Sequence, residues 1–250
     1  MPERAKNTVQ TSEKTLRIIE ALKTEDGGQV TQLAEQLGMS KSTIHNHLAT
    51  LTENGYVVKD GDTYRLGLMF LDLGGYIRSK RKLYRIAKPK VKQMAAETGE
   101  VANLLTEENG RGVYLYRSKG EQAVDLDTYV GHRTYLHYTA QGKAILAHMP
   151  ESRVREIIDQ HGLPKATPNT ITDPDELFAE LDEIAERGYA THEEERLMGL
   201  RSIAAPIQPD NDVACGSISI SAPASRMDDD AIADIVCSAA NEIELNVKYS

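Results

Sequence analysis

The sequence predicts an α+β protein in two parts: a small helical head and a larger antiparallel-sheet domain, joined by a helix. Three observations predict it. Residues 11–66 give three short amphipathic helical patterns, then two strand patterns around Asp60-Gly61-Asp62. Residues 68–88 hold a helical period up to Pro89. From residue 100 the period changes to that of strands and returns to helix only in segments.

Taken in order, residues 1–10 are polar. Thr11 or Ser12 can cap a first helix, with Leu16, Ile19 and Leu22 as its apolar stripe, and Glu25-Asp26-Gly27-Gly28 breaks it. Thr31 can cap a second helix, with Leu33, Ala34 and Leu37 inward and Gly38 as terminator. Met39 leads into Ser40, the expected N-cap of a third helix over 40–53. There Ile44, Leu48 and Leu51 form the inward stripe. Ser42, Asn46 and Ala49 lie opposite, flanked by Thr43, His45 and Thr50, with Lys41 at the start. Residues 56–59 and 63–66 complete a hairpin. Helix, short glycine turn, helix and hairpin make a winged helix-turn-helix. On its own the third helix also reads as an ordinary surface helix. In this order, its short polar side chains suit base edges in a major groove. The expected DNA-binding residues are Lys41, Ser42, Thr43, His45, Asn46 and Thr50, with Lys59 and Arg65 as cations of the wing.

The charge is unevenly spread. Residues 1–70 carry a net −1, residues 71–92 a net +7 and residues 93–250 a net −15, giving −9 overall. The organisation expected is a DNA-binding head over 1–70, a linker helix over 71–88 and a second domain over 89–250. Leu68, Leu71, Tyr76, Ile77 and Leu83 give the linker an apolar side. The basic run 78–92 is either a solvated linker or a positive face for DNA phosphates.

In the second domain, 91–99 reads as helix and 101–120 as two strands around Asn109-Gly110. Residues 123–130 and 132–139 continue the strand character. Thr139 caps a helix running towards Pro150, and helical patterns follow at 151–160 and 174–188. Residues 202–208 and 215–223 form a late hairpin through a turn at 209–213, and a helix from about 228 to 247 closes the chain. Ser217, Ser219 and Ser221 share one strand face, and Ile218 and Ile220 share the other. Either the serines face solvent, or they form a polar inner surface that needs a partner. With the amides of the 139–142 turn they would then make a seat for a carboxylate.

The stretches KSTIHNHLATLTENGYV with YRLG, LHYTAQGKAILA, TPNTIT, ERGYATHEEERLMGLRSIAAPI and SISISAPASR together resemble the IclR-type transcriptional regulators over nearly the whole chain. The resemblance implies a GAF-like effector domain behind the linker helix, with dimers or dimers of dimers on palindromic promoter DNA. It implies an effector pocket at Ala140, Gln141, His192, Leu200, Ser202, Ser219 and Ser221, with a small organic or sugar acid as ligand and no cofactor. The chain departs from the family in two places. Asn46-His47 stands where Arg-Leu is common. Asn46 points outward and suits an adenine edge, whereas His47 falls near the buried edge as a satisfied core residue. Gln141 is larger and more polar than the Gly-Ala usual at 140–141 in some relatives, so the ligand need not be theirs.

Other classes find less support. There is no nucleophile elbow, P-loop, dinucleotide fingerprint or HExxH spacing, and His192-Glu193-Glu194-Glu195 reads as an acidic loop. No apolar run spans a membrane, and no signal-peptide pattern opens the chain. Cys215 and Cys237 lack CxxC spacing, which suits a reducing cytoplasm. An enzyme with a fused DNA-binding head, or an architectural DNA binder indifferent to metabolites, is the alternative. The acidity, no Trp and only 2 Phe also suit a salt-loving host.

Overall fold

In the computed structural model, which describes residues 7–209 and 214–249, the chain begins with helix α1 (Gln10–Thr24). Its N-cap is Val9, with no side-chain cap, and Thr11 and Ser12 lie inside the first turn. The buried stripe is Ile18, Ala21 and Leu22; Ile19 is half-buried and Leu16 is exposed. Leu16/Ile19/Leu22 and Ile18/Ala21/Leu22 both obey helical spacing, and only the packing partners decide between them. Helix α2 (Val30–Leu37) starts one residue before Thr31. Gln29 and Gln32 form its capping box, and Gly38 ends it at φ 65°.

Helix α3 (Lys41–Glu53) follows the expectation closely. Ser40 Oγ accepts from the Thr43 amide at 3.1 Å, and Ile44, Leu48 and Leu51 are buried. They pack against Ile18, Leu22, Leu33 and Val57 in the core of the head. Each such side chain contributes roughly 1.5–3 kcal/mol when fully buried. Strands β1 (Val57–Asp60) and β2 (Thr63–Leu66) pair antiparallel around Gly61 at φ 59°. Gly28 and Tyr64 exchange reciprocal backbone hydrogen bonds of 2.9 Å, so the 25–28 stretch also anchors the wing.

The linker is two helices, not one. Helix α4 (Met69–Lys80) ends before Arg81, which caps α5 (Lys82–Thr98) from an extended conformation. Pro89 sits inside α5 rather than ending a helix. It is exposed, so water can satisfy the Arg85 carbonyl that loses its N–H donor. The chain divides into two compact units, with the boundary between Ile77 and Arg78.

The second unit is built on a six-stranded antiparallel sheet of order β5-β4-β3-β8-β7-β6. Its strands are β3 (Val101–Glu108), β4 (Arg111–Lys119), β5 (Arg133–Thr134), β6 (Ala190–Glu193), β7 (Leu200–Ile207) and β8 (Gly216–Pro223). Strand structure does not run through 123–139 as expected; only Arg133–Thr134 pairs, beside Gly112 and Val113. Asp125 and Asp127 are held there by Lys119 and Arg196, and Gly131 turns the chain at φ 87°. Of the turn expected at 209–213, residues 210–213 lie outside the described residues.

Helices cover both faces of the sheet. α5 and α9 (Asp229–Tyr249) pack on Ala102, Leu104, Ile203, Ile218 and Ile220. α6 (Ala140–Leu146), α7 (Glu151–His161) and α8 (Pro174–Arg187) pack on the opposite face, with Leu105, Tyr114, Ala190 and Ala204. The serines of β8 are therefore inside: Ser217, Ser219 and Ser221 are 0%, 1% and 6% exposed.

Candidate DNA-reading helix and effector pocket

On α3, Lys41, Ser42, His45, Asn46 and Thr50 are exposed, and Thr43 is half-buried. Part of this face is already engaged. The Thr43 hydroxyl lies 2.8 Å from Ser40 Oγ, and Thr50 Oγ1 donates to the Asn46 carbonyl at 3.0 Å. His47 turns the other way, its Nδ1 2.8 Å from Thr15 Oγ1 of α1. In the wing, Lys59 Nζ sits 5.5 Å from the centroid of the Tyr64 ring. Arg65 donates to the Asp26 carbonyl and pairs with its carboxylate at 3.3 Å. It thus stabilises the turn before α2, and the hairpin tip carries Asp60 and Asp62 against the two cations.

Several cations of the basic run are also committed. Arg81 pairs with Glu108 at 3.1 Å, Lys90 with Glu242, and Arg78 lies 4.9 Å from the centre of the Tyr84 ring.

In the second unit, the strand register assembles a polar floor. Cross-strand neighbours share a face. One row runs Arg117, Asn103, Ser219, Ala204 from β4 through β3 and β8 to β7. The next runs Val101, Ser221, Ser202, His192 from β3 to β6. Helix α6 covers this floor. Thr139 caps it, accepting from the Gly142 amide at 3.1 Å. Gly142 is required there, since a Cβ would meet the Leu136 carbonyl oxygen at 2.1 Å. Ala140, Gln141, His192, Leu200, Ser202, Ser219 and Ser221 all line one cavity between floor and helix.

Thr139, at the head of the 139–142 turn, lines the same cavity as expected, while sequence reasoning missed Asn103, Tyr114, Leu126, Thr128 and Arg196 on its walls. Asn103 and Tyr114 join through β3–β4 register, which no local pattern encodes. Arg196 comes from the loop after β6. The 167–170 stretch holds that loop: Thr167 Oγ1 donates to the Glu194 carbonyl at 2.8 Å and Thr170 Oγ1 to that of Glu195 at 2.6 Å. The buried Lys143 of α6 pairs with Glu195 at 2.7 Å. Arg196 itself grips both oxygens of Asp127, at 2.7 and 2.8 Å.

The cavity is small, about 20 Å³, which is room for a single water. Gln141 narrows it, its Nε2 donating to the Ser217 carbonyl at 3.1 Å and the Asn103 carbonyl at 3.3 Å. Ser202 Oγ donates to Ser221 Oγ at 2.8 Å. His192 Nε2 accepts from the Arg196 amide at 2.8 Å, which places the ring proton on Nδ1. That Nδ1 is buried and makes no hydrogen bond of good geometry among the described residues, although the carbonyls of Leu200 and of His192 itself are near enough to favour the ring proton. Burial and then the charge of Lys143 hold His192 neutral, its pKa down to about 3. Burial pushes the Tyr114 hydroxyl up to about 12. Burial also raises Glu195, against the pull of Lys143. For Arg196 burial acts downward, but the Asp127 carboxylate outweighs it and raises the guanidinium.

A winged helix-turn-helix followed by a sheet domain with a polar interior cleft defines a ligand-responsive DNA-binding regulator. The comparisons give the family. The family described as "Bacterial transcriptional regulator IclR C-terminal" matches residues 76–245, and "IclR helix-turn-helix domain" matches residues 11–61. A probable HTH-type transcriptional regulator ArcR of Halobacterium salinarum is 36% identical, over 93% of this chain and 92% of its own. The transcriptional repressor IclR of Escherichia coli is 28% identical, over 95% of this chain and 91% of its own. The structure of the Thermotoga maritima IclR has a TM-score of 0.78 at 30% identity, covering 96% of this chain and 99% of that one. An IclR homolog from Microbacterium hydrocarbonoxydans, complexed with 4-hydroxybenzoate, has a TM-score of 0.82 at 23% identity, covering 96% and 100%; that is a likeness of fold. The chain belongs to the IclR family of transcriptional regulators, with a DNA-binding head and an effector-binding C-terminal domain. No helix among the described residues is long and apolar enough to cross a membrane.

Proposed function

We propose that this regulator acts in the cytoplasm as a homodimer or dimer of dimers, and that a small organic or sugar acid in the α6–β8 cavity changes its hold on promoter DNA. The observation that carries the ligand reading is the buried Nδ1–H of His192, which has no partner in good hydrogen-bond geometry among the described residues, beside the Ser202/Ser219/Ser221 floor. A buried donor without a partner costs about 1–3 kcal/mol, and a carboxylate would satisfy it. Ala140 and Gln141 in the 139–142 turn line the opposite wall. Since the cavity has room only for a water-sized molecule, a metabolite enters by displacing Gln141 or the 194–199 loop. In the head, Ser42, His45 and Asn46 read base edges, Lys41 and Lys59 approach phosphates, and Thr43, Thr50 and Arg65 position the reading helix and wing. The acidic second domain supports a salt-loving host, as does the relative in Halobacterium salinarum. Calorimetry against a panel of organic and sugar acids, with wild type and the Ser219→Ala/Ser221→Ala variant, tests the ligand reading. Wild type should bind at least one acid, and the variant should lose it at unchanged melting temperature. Equal binding by both proteins would overturn the assignment.

A further inference from the structure

Arg117 lies at the β4 end of the polar floor, beside Asn103. Its Nη1 is occupied, donating to Thr128 Oγ1 at 2.7 Å and to the Thr128 carbonyl. Its other edge, Nε with Nη2, is buried and makes no hydrogen bond among the described residues. That is the edge with two parallel N–H bonds, the one suited to both oxygens of a carboxylate. The same domain shows the edge in use. Arg226 Nε and Nη2 hold Glu100 Oε1 and Oε2 at 2.7 and 3.0 Å. Asp127 is taken by Arg196 and Asp125 by Lys119, so neither nearby carboxylate fills the Arg117 edge. Withdrawing a charged fork from water without an acceptor is unfavourable, and such a group is retained where a ligand supplies one. Asn103 Oδ1 is likewise buried and unpartnered, next along the row. It is an acceptor, so it leaves the Arg117 edge as the anion-seeking group at that end.

We propose that the Nε and Nη2 edge of Arg117 is a second carboxylate seat, and that the effector is a short dicarboxylate spanning the floor from Arg117 to the Ser219/Ser221/His192 end. This rests on the first seat proposed above. Arg117 and Ser219 stand two strands apart, about 10 Å between Cα atoms. Thr128, which Arg117 Nη1 holds, lines the cavity and so brings the guanidinium to that wall. Arg117 is then the residue that selects diacids over monoacids, and its Nη1 bond to Thr128 ties selection to the 121–131 loop over the cavity.

The test is calorimetry at constant ionic strength with matched pairs: succinate against butyrate, glutarate against pentanoate, adipate against hexanoate. Wild type should bind at least one diacid tenfold or more tighter than its partner. Arg117→Gln should bring that pair to within about twofold, the loss falling on the diacid. Arg117→Lys should give an intermediate ratio, because a point charge replaces the fork. If wild type binds both members of every pair alike, the Arg117 seat is overturned and the first seat stands. The seat is also overturned if a folded Arg117→Gln keeps the preference. If wild type binds none of the acids, the seat and the reading beneath it fail together.

Discussion

Asn46 and His47 are neighbours with opposite tasks. His47 bonds Thr15 and ties α3 to α1. Asn46 is displayed, with its side chain uncommitted among the described hydrogen bonds. Asn46→Ala should weaken binding to the preferred site by on the order of 1–3 kcal/mol and relax choice at one base pair of each half-site. Unchanged binding to both the site and random DNA, read by fluorescence anisotropy, would contradict that role. His192 carries a pH signature. Its ring titrates near 3 in the folded chain and near 6.5 when unfolded. Between those values the unfolded chain holds the extra proton, so stability is lost as pH falls from about 6.5 towards 3. By pH 5 the loss is about 2 kcal/mol, at 1.36 kcal/mol per unit. His192→Asn keeps an acceptor for the Arg196 amide and removes the titration. Denaturant melts should therefore show a smaller drop from pH 7 to pH 5 in the variant, and parallel curves would refute it. Both histidines were visible as residues of interest, but what each one contacts depends on tertiary neighbours.

At the scale of elements, the head was largely legible because its punctuation is local. Ser40 caps α3, Gly38 ends α2 and Gly61 turns the hairpin, each within a few residues of the pattern it closes. The inward side of α1 was not legible, because two stripes fit the period. Pro89 misled for a physical reason: a proline on the exposed side of α5 removes one N–H without ending the helix. In the pocket, the serine face of β8 was readable from alternation. Asn103 and Tyr114 were not, because register alone brings them beside it. Helix α4 has no buried residue, and Leu68, Leu71 and Ile77 are 81%, 70% and 56% exposed on it and at its start. Such a run of apolar surface suits a helix of a second copy. Sedimentation equilibrium should show a dimer or larger at micromolar concentration, and replacing Leu71 and Ile77 by Glu should shift it towards monomer. A monomeric wild type would exclude this interface.

For the whole molecule, the division of charge sets how it works in salt. Residues 93–250 carry 28 acidic against 13 basic side chains, while the head is nearly neutral at −1. At about 1 M salt the Debye length is near 3 Å, so phosphate attraction through the basic run fades. Arg78, Arg81, Lys88 and Lys90 also meet partners of their own domain. Specificity then leans on short-range base contacts by α3. Self-repulsion of the acidic domain should make it melt higher as KCl rises from about 0.1 M to about 3 M. A flat or falling melting temperature would mark the acidity as ordinary surface solvation. The link between the two ends of the chain, ligand in the cavity and DNA on α3, is tested most directly by one titration. A DNA site is selected from a random pool with the wild-type protein, and its binding is followed by anisotropy at fixed salt, with and without the tightest acid found by calorimetry. The expected result is a shift of tenfold or more in the apparent Kd for wild type, and none for Ser219→Ala/Ser221→Ala, whose ligand-free binding matches wild type. A bound acid that leaves the wild-type Kd unmoved, or moves both proteins alike, would contradict control of DNA binding from this pocket.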